Sequence, residues 1–330
     1  MSSEGASIFD AVRNTIKVTG EKLYLSHAKV VIISKELAKE GLIPLMDWIS
    51  RDNEPRYTFH ILILKEKSAK EILEQQPITS DMLAFELDDM IKHKKRLSNA
   101  IDVQEWQYLN DISNPGISAV LPTIDLTIDN NKTTPQISGT AIFKKDKLVG
   151  FLDGEETKTL MFIKDKIKGG LLTKKVYKDN IPTNIALEIL SNDTKIKPYY
   201  ADGKITMEIT TDTEVAIAEN GGKENYIDET GRADLKKIFE TTLENNIKSL
   251  VEKVQEQYGS DIFGFGKIVK VHMPGLWKQI EAQWEKEYKN VGIEVHSTID
   301  IKNSAFLSKP IKVCDLLYYY FVRWFMHFLY

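Results

Sequence analysis

The sequence has little of several features that would indicate a function directly. Its single cysteine, Cys314, excludes an internal disulfide, a CxxC-type zinc site and a cysteine-ligated iron–sulfur cluster. The chain also lacks a large excess of charge of either sign, since 44 basic and 48 acidic residues leave a net charge of −4. That balance gives no electrostatic reason to expect a nucleic-acid partner. The N-terminus, MSSEGASIFDAV, lacks the basic and apolar regions of a signal peptide.

Catalytic and cofactor-binding motifs are lacking as well. The sequence has no GxSxG elbow, no Walker loop and no HExxH, and none of its six histidines pairs at i, i+4. Gly264-Phe265-Gly266 is a lone GxG, and Val269 departs from the dinucleotide fingerprint. We therefore expect no catalytic residue, no metal and no organic cofactor.

The composition is that of a folded protein. Apolar residues make up 42% and charged residues 28% of the 330 residues, which excludes a wholly disordered or collagen-like chain. The length suits two or three domains. No apolar run of about 18 residues precedes residue 313, so we expect no membrane span before that point.

Residues 1–112 are expected to form a mixed sheet with helices packed on it. Ala28–Ile33 and Thr58–Leu64 are apolar runs typical of buried strands, and one amphipathic helix is predicted between them after Ser34. Such a strand–helix–strand unit predicts parallel strands in one sheet, joined by a right-handed crossover. Two further helices are predicted at Met82–Ser98 and Val103–Asp111.

Asn114-Pro115-Gly116 marks a predicted boundary, and residues 113–175 are predicted to form a small middle domain. Its expected elements are three strands and a short helix, at Ala119–Ile128, Ile137–Phe143, Leu148–Leu152 and Gly154–Lys164.

Residues 176–312 are predicted to form a third, α+β domain. Several segments alternate between apolar and polar residues, which favours an antiparallel sheet with one wet face. A long amphipathic helix, Ala233–Tyr258, is expected to lie across that sheet. The predicted fold class is therefore α+β, or mixed α/β, in three domains. The alternating segments are Ile185–Ile189, Ile205–Ile209, Val215–Ile217 and Val291–Ile301.

The segment after the long helix is the candidate interaction loop. Two phenylalanines between glycines fit an exposed docking loop. They also fit an arrangement in which the rings tuck under the sheet and the glycines supply the turn. Trp277 and Trp284, on the next predicted helix, are expected in the core. The loop consists of Phe263, Gly264, Phe265 and Gly266.

A basic run, Lys92–Arg96, has two possible interpretations. It could contact anionic lipid headgroups, or it could be the solvated face of a helix. Glu86, Asp88 and Asp89 precede the run and cancel most of its charge, which favours the solvated face.

Several segments together resemble one family. These are SIFDAVRN, LYLSHAKVVIISKELAKEGL and WISRDNEPR near the start, GTAIFKKDKLVGFLDGEETKTLMF in the middle, and DIFGFGKIV and PGLWKQIEAQWEKEY towards the end. The chain resembles the Ger(x)C family, the C subunits of spore germinant receptors, from about Ala6 to Lys312. The GTAIFKKDKLVGFL and DIFGFG blocks are the most specific.

The resemblance implies a non-catalytic lipoprotein subunit with three mixed α/β domains. Family members carry a lipid on an N-terminal cysteine and lie on the outer face of the spore's inner membrane. They assemble with two integral-membrane subunits, A and B, in a receptor that starts germination in response to nutrients such as amino acids or sugars. The alternative function is an extracytoplasmic module that binds the nutrient itself.

Both ends depart from the family pattern. The lipid-bearing cysteine and the first strands are missing, so this chain cannot be lipidated as written, and we expect either an exposed edge in the first sheet or a gap. The last residues, Val313–Tyr330, hold eight aromatics and are foreign to the family. We expect residues 313–330 to form an atypical tail outside any folded core.

Overall fold

Two β-sheets organise the molecule. The computed structural model describes residues 2–51, 58–65, 68–93, 96–129, 132–178, 181–221, 226 and 229–303. The predicted tail, Val313–Tyr330, lies outside the described residues. The strands of the first sheet are β1 (Val30–Ile33), β2 (His60–Leu64), β3 (Val120–Asp129), β4 (Lys132–Lys144) and β5 (Lys147–Leu152). Those of the second are β6 (Leu171–Lys178), β7 (Ile181–Ala201), β8 (Lys204–Asn220) and β9 (Gly292–Asn303).

The helices pack around and between these sheets. In the N-terminal half they are α1 (Ile8–Asn14), α2 (Ile16–Thr19), α3 (Lys35–Glu40), α4 (Ile43–Arg51), α5 (Ala69–Leu73), α6 (Leu83–His93), α7 (Glu105–Ser113) and α8 (Gly154–Ile163). In the C-terminal half they are α9 (Glu229–Lys253), α10 (Phe265–His272), α11 (Pro274–Ile280) and α12 (Trp284–Tyr288), with a π-helical turn at Val254–Tyr258. Among the described residues, no helix is both long and apolar enough to cross a membrane.

The first sheet has the order β1-β2-β3-β4-β5, with β1 at one edge. Strands β1, β2 and β3 are parallel, and β3, β4 and β5 are antiparallel. The prediction that β1 and β2 share a sheet as parallel neighbours is confirmed. Alternate residues of β2 enter two cores: Ile61 and Ile63 face one, and Leu62 and Leu64 face the other.

The single helix predicted between β1 and β2 is wrong, because the structure has two. Gly41, with φ +126°, ends α3 in a conformation that other residues rarely adopt. The side chain of Asp146, in the β4–β5 turn, then accepts a hydrogen bond from the Ile43 amide at 3.3 Å. This contact satisfies a free donor at the start of α4 and ties that end of the helix to the β4–β5 turn.

The second sheet has the order β6-β7-β8-β9 and is mixed rather than wholly antiparallel. The expected antiparallel pairing holds for β6, β7 and β8, but β9 is parallel to β8. The reason is the connection: α9 and the helices after it return the chain to the end of the sheet where β8 began. A crossover of that kind places the next strand parallel to the last one.

One hydrophobic core joins the two sheets. It contains Val120, Ile142 and Leu152 from the first sheet together with Met207 and Ile209 from the second. Since β3 pairs with β2, the first sheet also continues across the predicted boundary near residue 112. The division into three domains stays a prediction. The fold is a mixed α+β architecture, as expected.

The open edge of β9 is protected by the long helix beneath it. The carboxylates of Glu244 and Glu240 accept hydrogen bonds from the amides of Ser297 at 3.0 Å and Ile299 at 2.9 Å. These amides would otherwise be free to pair with a strand of another molecule. A pair of glutamates one helical turn apart therefore closes part of the edge.

We predict that replacing both Glu240 and Glu244 by Ala leaves two strand amides unpaired and costs about 1–3 kcal/mol for each lost partner. Light scattering at rising protein concentration should detect self-association of this variant. Glu252→Ala, on an exposed position of the same helix, is the matched control and should stay monodisperse. A double variant that behaves like that control would show that the edge needs no protection.

Candidate functional site

The segment Ser260–Gly266 lies where the two sheets meet, and we call it the junction loop. It follows the π-helical turn, which ends at Gly259 in a left-handed conformation. The Ser260 hydroxyl donates a hydrogen bond to the Phe143 carbonyl at 2.6 Å, and the Ser118 amide donates to the Asp261 carbonyl at 2.7 Å. The junction loop, which continues from the helix packed on the second sheet, is thereby hydrogen-bonded to the part of the chain that forms the first sheet.

The carboxylate of Asp261 is the centre of the junction loop. One oxygen, Oδ1, accepts from the amides of Gly264 at 2.9 Å and Phe265 at 3.0 Å. The other, Oδ2, accepts from the amide of Gly266 at 2.8 Å and from Nε1 of Trp284 at 3.0 Å. Burial raises the pKa of Asp261, while the four donors act in the opposite direction. The side chain is a brace that holds three consecutive amides and an indole in one arrangement.

The predicted interaction loop has both of its rings inside the protein. Phe263 is 5% exposed and Phe265 is 0% exposed, and the rings stack with centroids 5.2 Å apart. Gly264 has φ +80° and supplies the turn. Of the two arrangements that the sequence left open, the structure has the tucked one. Neither ring offers a surface to a partner, and an interaction role for this segment stays a prediction.

Gly266 and Gly116 allow two backbones to pass at close range. A Cβ on Gly266 would lie 2.5 Å from Gly116 Cα and 2.6 Å from the Trp284 ring. The Lys267 amide also donates to the Gly116 carbonyl at 2.9 Å. The rings of Trp277 and Trp284 pack beside this contact with their centroids 5.5 Å apart. Both side chains are buried, which confirms their predicted place in the core.

The β4–β5 hairpin meets the same region from the other side. A Cβ on Gly150 would overlap the ring of Tyr258, whose hydroxyl donates to the Phe151 carbonyl at 3.3 Å. At the hairpin turn, Lys144 Nζ lies 3.1 Å from a carboxylate oxygen of Glu285. The GTAIFKKDKLVGFL and DIFGFG blocks, which lie far apart in the sequence, contribute to the same hydrophobic core, through Ile142 and Leu152 from the first and Ile262, Phe263 and Phe265 from the second.

A cleft of about 660 Å³ opens beside the junction loop. Tyr288 is one of the lining residues, and its buried hydroxyl has no hydrogen-bond partner in the described part of the chain. Burial raises the pKa of that hydroxyl well above its ordinary value. The rim carries charges of both signs, so the cleft can receive a polar or mixed surface. The rim charges are Lys144, Lys145, Glu281, Glu285 and Lys286.

The remaining predicted features do not assemble into a reactive site in the described part of the chain. No group of three or more His, Cys, Asp or Glu residues there is placed to hold a metal ion. Within the basic run, Lys92 Nζ bonds to Asp88 at 2.6 Å, as expected for a helix face, while Lys94 and Lys95 lie outside the described residues. Sequence reasoning missed Asp261, for which the glycines at 264 and 266 were the only available signal.

The geometry defines a class of protein: a two-sheet α+β molecule built around a packed, hydrogen-bonded junction with a mixed-charge cleft. "Spore germination protein N-terminal domain" matches residues 1–126, and "Spore germination B3/ GerAC like, C-terminal" matches residues 138–305. The chain belongs to the Ger(x)C family of spore germination proteins, as the resemblance implied.

Individual relatives agree with this assignment. The chain is 24% identical to "Spore germination protein B3" of Bacillus subtilis (strain 168) over 320 residues, covering 94% of this chain and 82% of the relative. It is 24% identical to "Spore germination protein KC" of the same organism over 338 residues, covering 94% and 80%. The solved structure titled "Crystal Structure of the GerBC protein" shares the fold, with a TM-score of 0.66 and 21% identity over 87% of this chain and 83% of that one. The chain therefore has a role in spore germination.

Proposed function

We propose that this protein is a non-catalytic subunit of a nutrient germinant receptor and acts by assembly with the integral-membrane A and B subunits. The observation that carries the proposal is the family match, which covers both halves of the chain. In this proposal the protein acts as a lipid-anchored subunit on the outer face of the spore's inner membrane. The packed character of the junction loop supports a structural role rather than a chemical one.

We assign the assembly contact to the rim of the cleft. Both family-specific blocks converge there, and residues 281–286 of the rim are exposed except for Trp284. Charges of both signs at the rim favour a polar partner surface over a purely apolar one, because each charge gains a partner of opposite sign. The predicted interaction loop contributes by holding this rim in place from beneath.

The test is co-purification of the full-length protein with its A and B subunits. The double variant Glu281→Lys, Lys286→Glu reverses two exposed rim charges and keeps the net charge, so we expect recovery of A and B to fall at least about tenfold. The control, Lys204→Glu with Glu219→Lys, reverses two exposed charges on the second sheet and should recover both subunits normally. If the rim variant recovers both subunits normally, the cleft rim is not the assembly contact. If the unaltered protein recovers neither subunit, the proposed assembly with A and B is wrong.

The cleft also favours a second candidate function, binding of the nutrient. Its volume of about 660 Å³ falls within the usual range of small-molecule sites. Trp284 lies in its wall, so a titration with amino acids or sugars can be followed by tryptophan fluorescence. Saturable binding by the isolated chain would favour this function, and no response would leave the assembly role as the explanation of the cleft.

A further inference from the structure

A buried carboxylate at the start of α7 has no place in the function proposed above. Glu105 is 0% exposed, and neither of its carboxylate oxygens has a hydrogen-bond partner among the residues that the structure describes. Its amide donates to the Phe59 carbonyl at 3.3 Å, which holds the first turn of α7 against the start of β2. An ionised carboxylate in such a place pays a desolvation penalty that no contact offsets. Burial accordingly raises the pKa of Glu105 to about 7.

Charged groups on the surrounding elements are engaged with one another. Nδ1 of His60, at the start of β2, lies 3.3 Å from Asp102 Oδ1, and its Nε2 lies 3.5 Å from Asp88 Oδ1. Asp88 also pairs with Lys92 at 2.6 Å and Lys29 at 3.8 Å. The core beside α7 is shared with α4 and the β4–β5 hairpin, whose charged groups include Asp47, Arg51 and Asp146, and the buried Tyr108 lies on α7 itself.

Helix α7 connects Glu105 with the cleft. The helix ends at Ser113, and residues 114–118 then line the cleft wall. Within that wall, the Gly116 carbonyl accepts from the Lys267 amide, and the Ser118 amide donates to the Asp261 carbonyl. Helix α7 and the cleft wall are therefore consecutive parts of one segment that is hydrogen-bonded to the junction loop.

We propose that Glu105 is a proton-sensitive latch: while its carboxyl is protonated α7 stays packed on the first sheet, and loss of the proton loosens α7 and the cleft wall. The sign follows from the direction of the shift. The folded protein binds this proton more tightly than the unfolded chain, so the contribution to stability is full below the ordinary carboxyl pKa. It is lost as the pH rises through about 7, the raised pKa of Glu105.

Hydrogen exchange of the α7 amides in the full chain tests the latch. Glu105→Gln keeps the size of the side chain but cannot ionise, so it should remain packed at every pH. The exchange rate of the unaltered protein, divided by that of Glu105→Gln at the same pH, should rise about tenfold or more between about pH 5.5 and about pH 8.5. Taking the ratio removes the base catalysis of exchange, which both proteins share. Glu256→Gln, at an exposed position, should give the profile of the unaltered protein.

A ratio that stays constant with pH would overturn the latch. A direct measurement covers the case in which Glu105→Gln does not fold: the carboxyl carbon of Glu105 can be titrated by NMR in the unaltered protein. A midpoint near 7 supports the proposal, and a midpoint between about 4 and 5 contradicts it. This outcome is independent of receptor assembly, so the latch and the proposed function can fail separately.

Discussion

Replacing Asp261 by Ala is expected to cost about 3–5 kcal/mol and to lower the melting temperature by roughly 10 °C. The substitution removes the acceptors of four buried donors, which are three consecutive amides and the indole of Trp284. Each donor then loses its hydrogen bond without gaining water, at about 1–3 kcal/mol for a neutral group, and relief of the desolvation penalty of the buried carboxylate offsets part of this sum. Calorimetry would measure the loss, and tryptophan fluorescence would report the change around Trp284.

Two companion variants sharpen the result. In Asp261→Asn, the side-chain oxygen can still serve Gly264 and Phe265, but an NH2 group would face the donors of Gly266 and Trp284. We expect an intermediate loss. Asp234→Ala, at an exposed position on α9, should change stability by less than about 0.5 kcal/mol. An Asp261→Ala protein as stable as the Asp234→Ala control would mean that the brace contributes nothing.

Replacing Gly266 by Ala is expected to have a comparably large effect, for a steric reason. The added methyl would approach Gly116 Cα to 2.5 Å and the Trp284 ring to 2.6 Å. Neither neighbour can withdraw easily, because one is backbone and the other is packed against Trp277. Overpacking of this kind costs about 1–3 kcal/mol and sometimes more. We expect a loss near or above the upper end of that range, measured by chemical denaturation.

Gly275→Ala is the matched control for this prediction. Gly275 lies in α11, and a Cβ there would meet nothing within 4 Å. Alanine in a helix is favoured over glycine by roughly 0.5–1 kcal/mol, so this variant should be slightly more stable than the unaltered protein. Equal losses in the two variants would show that the close approach at Gly116 does not limit stability.

The parts of the fold that the sequence predicts are those in which apolar residues follow one period. The continuous apolar runs of β1 and β2 and the stripe on α9 are of this kind, and all three elements are present. The second half of β7 was missed because its inward positions include Asn192 and Thr194, which interrupt the apolar alternation. The parallel pairing of β9 depends on where a long connection returns the chain, and no local pattern records that.

The candidate site was predictable only in outline. The phenylalanines and glycines of the junction loop were visible as an unusual segment, but their burial depends on a groove supplied by other parts of the chain. The partners of Asp261 are mostly backbone amides, which every sequence position offers, so spacing alone could not single out this aspartate. Glu105 gave no signal either, since an unpartnered carboxylate is defined by what surrounds it.

The parallel placement of β9 has a consequence for how the protein is made. Strands β7 and β8 form a local hairpin, but β9 lies beyond α9 and the three helices that follow it. During synthesis the hairpin and the helix leave the ribosome before β9 does. The edge of β8 therefore stays unpaired until the last strand has been made. Pairing of segments so distant in the sequence is slow because a long loop must close first. Translation that stops before Gly292 should therefore yield a chain prone to aggregation and degradation.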